Sequence, residues 1–535
     1  MSVFKHLKIP HTFTIVFTII VVCAALTWII PGGEFERTAV TVDGSTKNVV
    51  VPHSYHSVER QGQSWQVFSA FFNGFKRTSY IIVFILIIGG AFFIINATKS
   101  IDMGIFKFLG KIHSLAHKRV FRKTSLHGLI LTVVIIMFSF FGAVFGMSEE
   151  CIAFIIIFVP LAISMGYDSI VGVLICYVAA HVGFAGALLN PFTIGIAQGL
   201  SGLPMFSGLP YRFFCWVLLT LITILFTLWY ARKIKKSPEK SPTFKIDAYW
   251  RERSLQNEEV DVKKSQKQTY FTYIALLIIG IMVSWFHPVT LITIGTKSAE
   301  LIIFPILTFC FAILGWFTLR KAAYAFILQL LFFTVCILVA GVLGYQWYIM
   351  EIAALFFGLG LASGYAYGIK FDAINKLFLE GCKDIMNAAL IVGLAGGIII
   401  ILEDGKIIDT VLYGASKLME ESSKTTAVGV MYSMQTLLNM VIPSSSAKAA
   451  LTIPMMAEFS DMIAVSRQTT VLAFQLGDGF TNMITPTSGV LIGCLGVARI
   501  PYSVWFKFIL PFILTLVFIG FILLMITNHV TLSGF

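Results

Sequence analysis

GFAGALLNPFTIGIAQG (Gly183–Gly199) and GDGFTNMITPTSGVLIG (Gly477–Gly493) break in the same way, one in each half of the chain. Each takes an apolar run into a Gly-rich stretch with Asn or Thr around one proline, Pro191 or Pro486, and then resumes as apolar sequence. Proline has no N–H and clashes with the preceding turn, so a helix opens there. Open backbone at membrane depth is tolerated only where it is buried in protein or lines a wet cavity. A matched pair of such breaks is the sequence mark of a transporter's binding region.

The rest of the chain belongs in the same solvent. Of 535 residues, 57% are hydrophobic and 12% charged, with mean hydropathy +0.86, against about 25% charged in soluble domains. The 49 phenylalanines suit lipid-facing helices. A net charge of +12 invites a nucleic-acid reading, but the Lys and Arg residues gather in a few loops between apolar spans, as positive-inside topology requires, so no nucleic-acid partner is expected. None of the eight cysteines forms a CxxC pair, which excludes disulfide and metal frameworks. Thr12–Ile30 follows Lys5 and Lys8 and is too long for a signal-peptide core, so it reads as a retained first span.

Spans of roughly 20 apolar residues fall at 12–30, 80–97, 169–198, 211–230, 270–286, 301–318, 323–344, 349–367, 387–402, 469–497 and 503–527. Two further apolar stretches, 126–165 and 425–465, are interrupted by Gly146-Met147-Ser148-Glu149-Glu150 and by Pro443-Ser444-Ser445-Ser446-Ala447-Lys448. Each reads as a re-entrant hairpin or as two spans; the crossing number is the same. Basic clusters at 118–123, 232–236 and 320–321 put the N-terminus in the cytoplasm. Segments 66–79 and 371–386 are amphipathic and read as interfacial helices.

An internal repeat ties the halves together. Residues 74–102 align without gaps on 381–409, matching Gly74, Lys76, Gly89-Gly90, Lys99 and Ile101-Asp102 to Gly381, Lys383, Gly396-Gly397, Lys406 and Ile408-Asp409. Pro160 to Pro191 mirrors Pro454 to Pro486 at nearly equal spacing. Equivalent spans lie an odd number of crossings apart, so the copies face opposite ways. The expected fold is an all-α polytopic membrane protein, with about eleven transmembrane helices plus two re-entrant helical hairpins, in inverted-topology repeats with broken helices. Residues 1–230 form the first repeat, 231–269 a cytoplasmic linker, 270–344 connecting spans and 345–535 the second repeat.

Ionisable groups within spans cost about 2.5–3.5 kcal/mol each on insertion scales, so each needs a reason. The substrate and ion candidates are Ser148, Glu149 and Glu150 in the first hairpin, and Ser444, Ser445, Ser446 and Lys448 in the second. The broken helices add Asn190 and Thr193 in one copy, and Asp478, Asn482, Thr485, Thr487 and Ser488 in the other. Both tips and both breaks are expected around one midplane cavity. Half-helix N-termini there suit a carboxylate. A Na+ ion is expected near Asn190, Ser445 and Thr485, with H+ carried by a buried acid as the other coupling ion. Lys448 pairs with a substrate carboxylate or with an acid. Each group also has a structural reading: Ser, Thr and Asn often only hold membrane helices together. His181 is as readily a packed residue as a proton carrier. With no phosphate-binding loop and no nucleophile–base or metal set, neither an ATP-driven pump nor an enzyme is expected, and no cofactor.

GMSEECIAF (Gly146–Phe154), GFAGALLNPFTIGIAQGLSGLP (Gly183–Pro204) and SRQTTVLAFQLGDGFTNMITPTSGVL (Ser466–Leu491) resemble the YfcC-like branch of the DcuC carrier family, in the ion-transporter superfamily. The resemblance covers nearly the whole chain. It implies re-entrant hairpins at 126–165 and 425–465, and a substrate that is either a basic amino acid of the arginine/ornithine kind or a four-carbon dicarboxylate. Family tips commonly read Pro-Ser-Gly-Ser-Gly-Lys, whereas this chain has Pro443-Ser444-Ser445-Ser446-Ala447-Lys448, a stiffer tip. Three candidate acids against one lysine favour an amino-acid antiporter or ion-coupled amino-acid carrier of the inner membrane over a Na+- or H+-coupled dicarboxylate carrier. A channel is the remote alternative, and a homodimer is a further expectation.

Overall fold

In hydrocarbon every backbone N–H and C=O must be satisfied internally, and a run of about 20 apolar residues does so as a helix. The computed structural model describes residues 12–42, 45–104, 106–107, 126–255, 263–294, 297–420, 422–530 and 532. Lys5, Lys8 and the basic cluster at 118–123 lie outside the described residues. The first half runs α1 (Thr12–Ile29), α2 (Gln66–Ala97), α3 (Leu126–Phe145), α4 (Cys151–Ser164) and α5 (Ser169–Gly186, with a π turn at Leu174–Val178). After a break come α6 (Ile196–Leu200) and α7 (Leu209–Lys236). The connecting region holds α8 (Ala248–Leu255), α9 (Lys267–Phe286), α10 (Ile303–Lys321), α11 (Ala323–Tyr345) and α12 (Ile349–Ala366). The second half repeats the pattern with α13 (Phe371–Asp404), α14 (Ile408–Glu420), α15 (Lys424–Asn439), α16 (Ser445–Met462), α17 (Arg467–Asn482), α18 (Gly489–Ala498) and α19 (Tyr502–His529).

Eleven helices among the described residues are long and apolar enough to cross a membrane. The set differs from the sequence reading in two members. Helix α3, the first arm of the 126–165 hairpin, qualifies by itself. The second broken helix does not, because α17 is only 16 residues long and polar; it is buried from Gln468 to Asn482, with protein rather than lipid around it. Segments 66–79 and 371–386 are not separate interfacial helices but run unbroken into α2 and α13. These have 32 and 34 residues, about 50 Å each at 1.5 Å per residue. The loops after α1 and α9 also hold three small antiparallel sheets, pairing β1 (Gly33–Glu34) with β4 (His56–Ser57), β2 (Arg37–Val42) with β3 (Ser45–Val50), and β5 (Thr290–Ile294) with β6 (Lys297–Leu301).

The inverted repeat is visible in how α2 meets α13. A Cβ on Gly74 would lie 2.3 Å from the Gly393 carbonyl oxygen and 2.4 Å from the Gly397 nitrogen. At the other end, a Cβ on Gly381 would lie 2.5 Å from the Gly89 oxygen. The helices are therefore antiparallel, and each glycine touches the counterpart of its partner. That reciprocity is what a two-fold axis in the membrane plane produces. It repeats one layer out, where α1 packs on α13 and α12 packs on α2. Left-handed residues also fall at equivalent helix ends: Lys99 and Lys406, Gly166 and Ala464, Gly202 and Arg499. The Tyr167 N–H bonds to Ala162 O as Val465 N–H bonds to Ser460 O, and Leu203 N–H to Gln198 O as Ile500 N–H to Leu495 O.

The described first part of the linker, up to residue 255, is docked rather than free. Asp168 caps α5 through Val171 N–H and also accepts from the hydroxyls of Tyr230 (2.5 Å) and Ser241 (2.7 Å). Asp247 accepts from Ser169 N–H and the Thr243 hydroxyl, and the buried Trp250 indole donates to Ala498 O in the second half. Asp168→Ala removes the cap and leaves two buried hydroxyls without their acceptor, a loss of about 2–4 kcal/mol. A melting curve of the detergent-solubilised protein is expected to fall by several degrees, with Asp168→Asn falling less.

Candidate substrate site

Each hairpin carries the following broken helix against its arms. Helix α5 packs on α3 and α4, and α17 packs on α15 and α16. The tips are thereby held at the level of the breaks. A cavity of about 390 Å³ opens there, lined by both tips (Ser148–Glu150 and Ser444–Ala447) and by Asn482 and Thr487–Val490 of the second break. Arg77, Thr78, Tyr80 and Ile81 of α2, His181 of α5, and Trp347 and Tyr348 before α12 complete the wall together with α13. Its size is within the range of small-molecule sites. A larger groove of about 790 Å³ runs past Leu26, Val411, Leu437 and Phe521. Its wall is almost wholly apolar, which suits a lipid chain rather than a polar solute.

The first tip is acidic. Glu150 is buried at the N-terminus of α4 and its Oε2 takes the Ser148 N–H at 3.0 Å. Glu149 Oε1 accepts from the Tyr348 hydroxyl at a long 3.5 Å. Ser148 Oγ lies 3.4 Å from His181 Nε2, and His181 Nδ1 lies 3.1 Å from Tyr177 O. At the rim, the Arg77 guanidinium pairs with Glu403.

The second tip is built on a buried ion pair. Lys448 Nζ lies 3.0 Å from Asp478 Oδ1, and both side chains are fully buried. Asp478 Oδ2 accepts from Ser445 Oγ at 2.5 Å and Asn482 Nδ2 at 3.3 Å. The Asn439 amide donates to Asp478 O and to Thr481 Oγ1, and the ammonium also lies 3.5 Å from Gln435 O and over the Phe474 ring. The Thr485 and Thr487 hydroxyls both donate to Met440 O, fastening the second break to its own hairpin, and Ser488 caps α18 through Leu491 N–H. The α16 and α18 N-termini therefore both face the cavity, and the first N–H groups of a helix have no partner within it.

Of the residues singled out in the sequence, Ser148, Glu149, Glu150, Ser444, Ser445, Ser446, Asn482, Thr487 and Ser488 line the cavity. Lys448, Asp478 and Thr485 sit behind the second tip. Asn190 and Thr193 are placed elsewhere. Asn190 donates to Gly142 O and Thr193 accepts from Gln475, while the N–H groups freed by the first break at Leu188 and Leu189 bond back to Ala143 O on α3. Among the described residues, the second break lines this cavity with Asn482 and Thr487–Val490, and Asn190 and Thr193 of the first do not. Asn190, Ser445 and Thr485, the candidate Na+ ligands, have three separate partners: Gly142 O, Asp478 and Met440 O. The sequence reading passed over Arg77, Tyr80, Trp347 and Tyr348, and the buried amides Gln435, Asn439 and Gln475. Gln435 and Asn439 carried a signal, being amides four apart on one face of a hairpin arm.

Comparison with known proteins covers nearly the whole chain. The model of the DcuC family, described as C4-dicarboxylate anaerobic carrier, matches residues 9–529. A relative from Escherichia coli (strain K12), named "Putative basic amino acid antiporter YfcC", is 32% identical over 94% of this chain and 93% of its own. An uncharacterized protein of Haemophilus influenzae (strain Rd KW20) is 26% identical over 98% of this chain and 97% of its own. Among solved structures, the Alcanivorax borkumensis YdaH transporter, whose crystal structure is described as having an unusual topology, aligns over 98% of this chain and 100% of its own at 12% identity, with a TM-score of 0.38. A likeness of that size carries no argument about the arrangement here.

Proposed function

This chain belongs to the DcuC carrier family and is a multi-pass membrane transporter, and from that premise we propose that it exchanges basic amino acids by alternating access across the inner membrane. One observation carries the reading: the two related tips present opposite chemistry to one cavity. The first sets Glu149 and Glu150 at the start of α4, so acid side chains answer the positive end of that helix. The second sets serines at the start of α16, and α18 begins beside it at Ser488. There the helix ends remain available to an anion. Lys448 adds little to the cavity's charge, because Asp478 takes it up. A solute with a carboxylate at one end and a cation at the other meets a complement at each end. A dicarboxylate dianion meets repulsion at the first tip.

The orientation proposed is N-terminus cytoplasmic. Its support is the set of basic residues closing α7 (Lys233, Lys235, Lys236) and α10 (Arg320, Lys321). The outward apolar faces of α9 and α10, such as Phe271, Ile278, Phe309 and Trp316, suit lipid. The assignment is tested by melting the purified protein against arginine, ornithine, lysine, succinate and fumarate. Stabilisation by the cationic amino acids alone is the expected result, since only a ligand of the folded state raises its stability. A shift with the dicarboxylates alone overturns the assignment in favour of the dicarboxylate reading.

A further inference from the structure

The ion pair behind the second tip sits among more acceptors than it can use. Gln435 Oε1, Asn439 Oδ1 and Asn482 Oδ1 are each more than nine-tenths buried and accept no hydrogen bond among the described residues. Each belongs to a residue already bonded to the pair, Gln435 through its carbonyl to Lys448, Asn439 and Asn482 through their amides to Asp478. Amide oxygens without donors, near a carboxylate, offer the hard oxygen ligands that a hard cation takes. Buried acceptors left without partners are costly in a membrane interior. The Lys448 ammonium, carried by the chain itself, meets Asp478 Oδ1 at 3.0 Å and the Gln435 carbonyl at 3.5 Å, and bonds none of the three amide oxygens.

We infer that Lys448 is a tethered cation standing in for a free ion on Asp478, beside a latent monovalent-cation site that the Asn482, Asn439 and Gln435 oxygens complete once the lysine is removed, and that turnover of this carrier is therefore independent of Na+. The inference rests on the transporter reading above and deepens it. Ser445 and Asn482 are the link to the substrate, since both bond the Asp478 carboxylate and both line the cavity. In an ion-coupled carrier, that carboxylate would gain and lose a cation in each cycle. Here it keeps one throughout, so no Na+ gradient is drawn on and exchange of one substrate for another is the natural mode. Lys448 is in this sense a positioning residue, acting through Asp478 and Ser445.

The test is thermal unfolding of the full-length purified protein in choline, K+ and Na+ chloride at equal ionic strength. Wild type is expected to melt at the same temperature in all three. Lys448→Ala is expected to melt several degrees lower in choline and to recover in Na+, because the freed site binds the ion and binding to the folded state stabilises it. Lys448→Ala combined with Asp478→Asn should lose that response, since no charge is left to hold the ion. Stabilisation of wild type by Na+, or a Lys448→Ala protein indifferent to Na+, overturns the inference. Should Lys448→Ala not yield folded protein, wild type decides alone, through its melting and through the Na+ dependence of its exchange in proteoliposomes. The melting readout uses no substrate, so failure of the amino-acid assignment leaves it interpretable.

Discussion

Glu149→Gln is expected to lower uptake of arginine or ornithine into proteoliposomes on the order of 100-fold. Truncating one side of a buried charge contact costs about 2–5 kcal/mol, mostly as the penalty on the charge left behind, and about 1.4 kcal/mol is tenfold. Glutamine keeps the shape and removes the charge, so the loss reads the charge. Glu150→Gln should be milder for transport. Glu150 is anchored to Ser148 N–H at 3.0 Å at the start of α4, whereas the Tyr348 hydroxyl reaches Glu149 only at 3.5 Å. Asp478→Asn should also abolish uptake, by stranding the Lys448 charge. Unchanged uptake in Glu149→Gln would remove the acidic tip from substrate recognition.

Gly183→Ala is expected to leave no folded protein in detergent, or protein destabilised by more than about 4 kcal/mol, the range of mutations that force a core apart. A Cβ there would stand 1.8 Å from the Ser139 carbonyl oxygen, and one on Gly142 would stand 1.9 Å from Ala180 O. The obstacle is backbone on both sides, so no rotamer change relieves it, and α3 and α5 must separate. Since that contact holds the first tip against the first broken helix, Gly142→Ala should behave alike. Gly358→Ala in α12 is the control: nothing lies within 4 Å of its added Cβ, and alanine is the better helix former. Size-exclusion profiles and melting curves of the three variants check the set; a normal profile for Gly183→Ala would contradict the close packing described.

Much of the architecture was legible because a bilayer turns structure into a one-dimensional code. Spans, breaks and hairpins each leave a local mark, and the match of 74–102 to 381–409 is also a matter of sequence alone. The partial misses have local causes as well. Segments 66–79 and 371–386 look interfacial because their polar residues end the apolar window, yet the helix hydrogen-bond ladder continues through them. Helix α17 looks like half a span, but its polar face is covered by protein. The short β pairs in the loops escaped notice because a helix-dominated composition gives two-stranded sheets no weight.

The site was legible as a set of residue types and not as a set of partners. Lys448 and Asp478 stand 30 positions apart in sequence, and nothing local says that each cancels the other and leaves the cavity's charge to Glu149 and Glu150. Nor does the sequence of the first break say that its N–H groups return to Ala143 O while the second break opens on the cavity. By itself the sequence determined that the chain holds two inverted copies with paired hairpins and breaks, because apolar length, proline and repetition act through nearest neighbours along the chain. Only the tertiary structure decided which break opens on the cavity, which tip leaves its helix ends free and where the lysine spends its charge. Those choices depend on side chains meeting across helices, where Coulomb energy in a dry interior rewards a contact and punishes its absence.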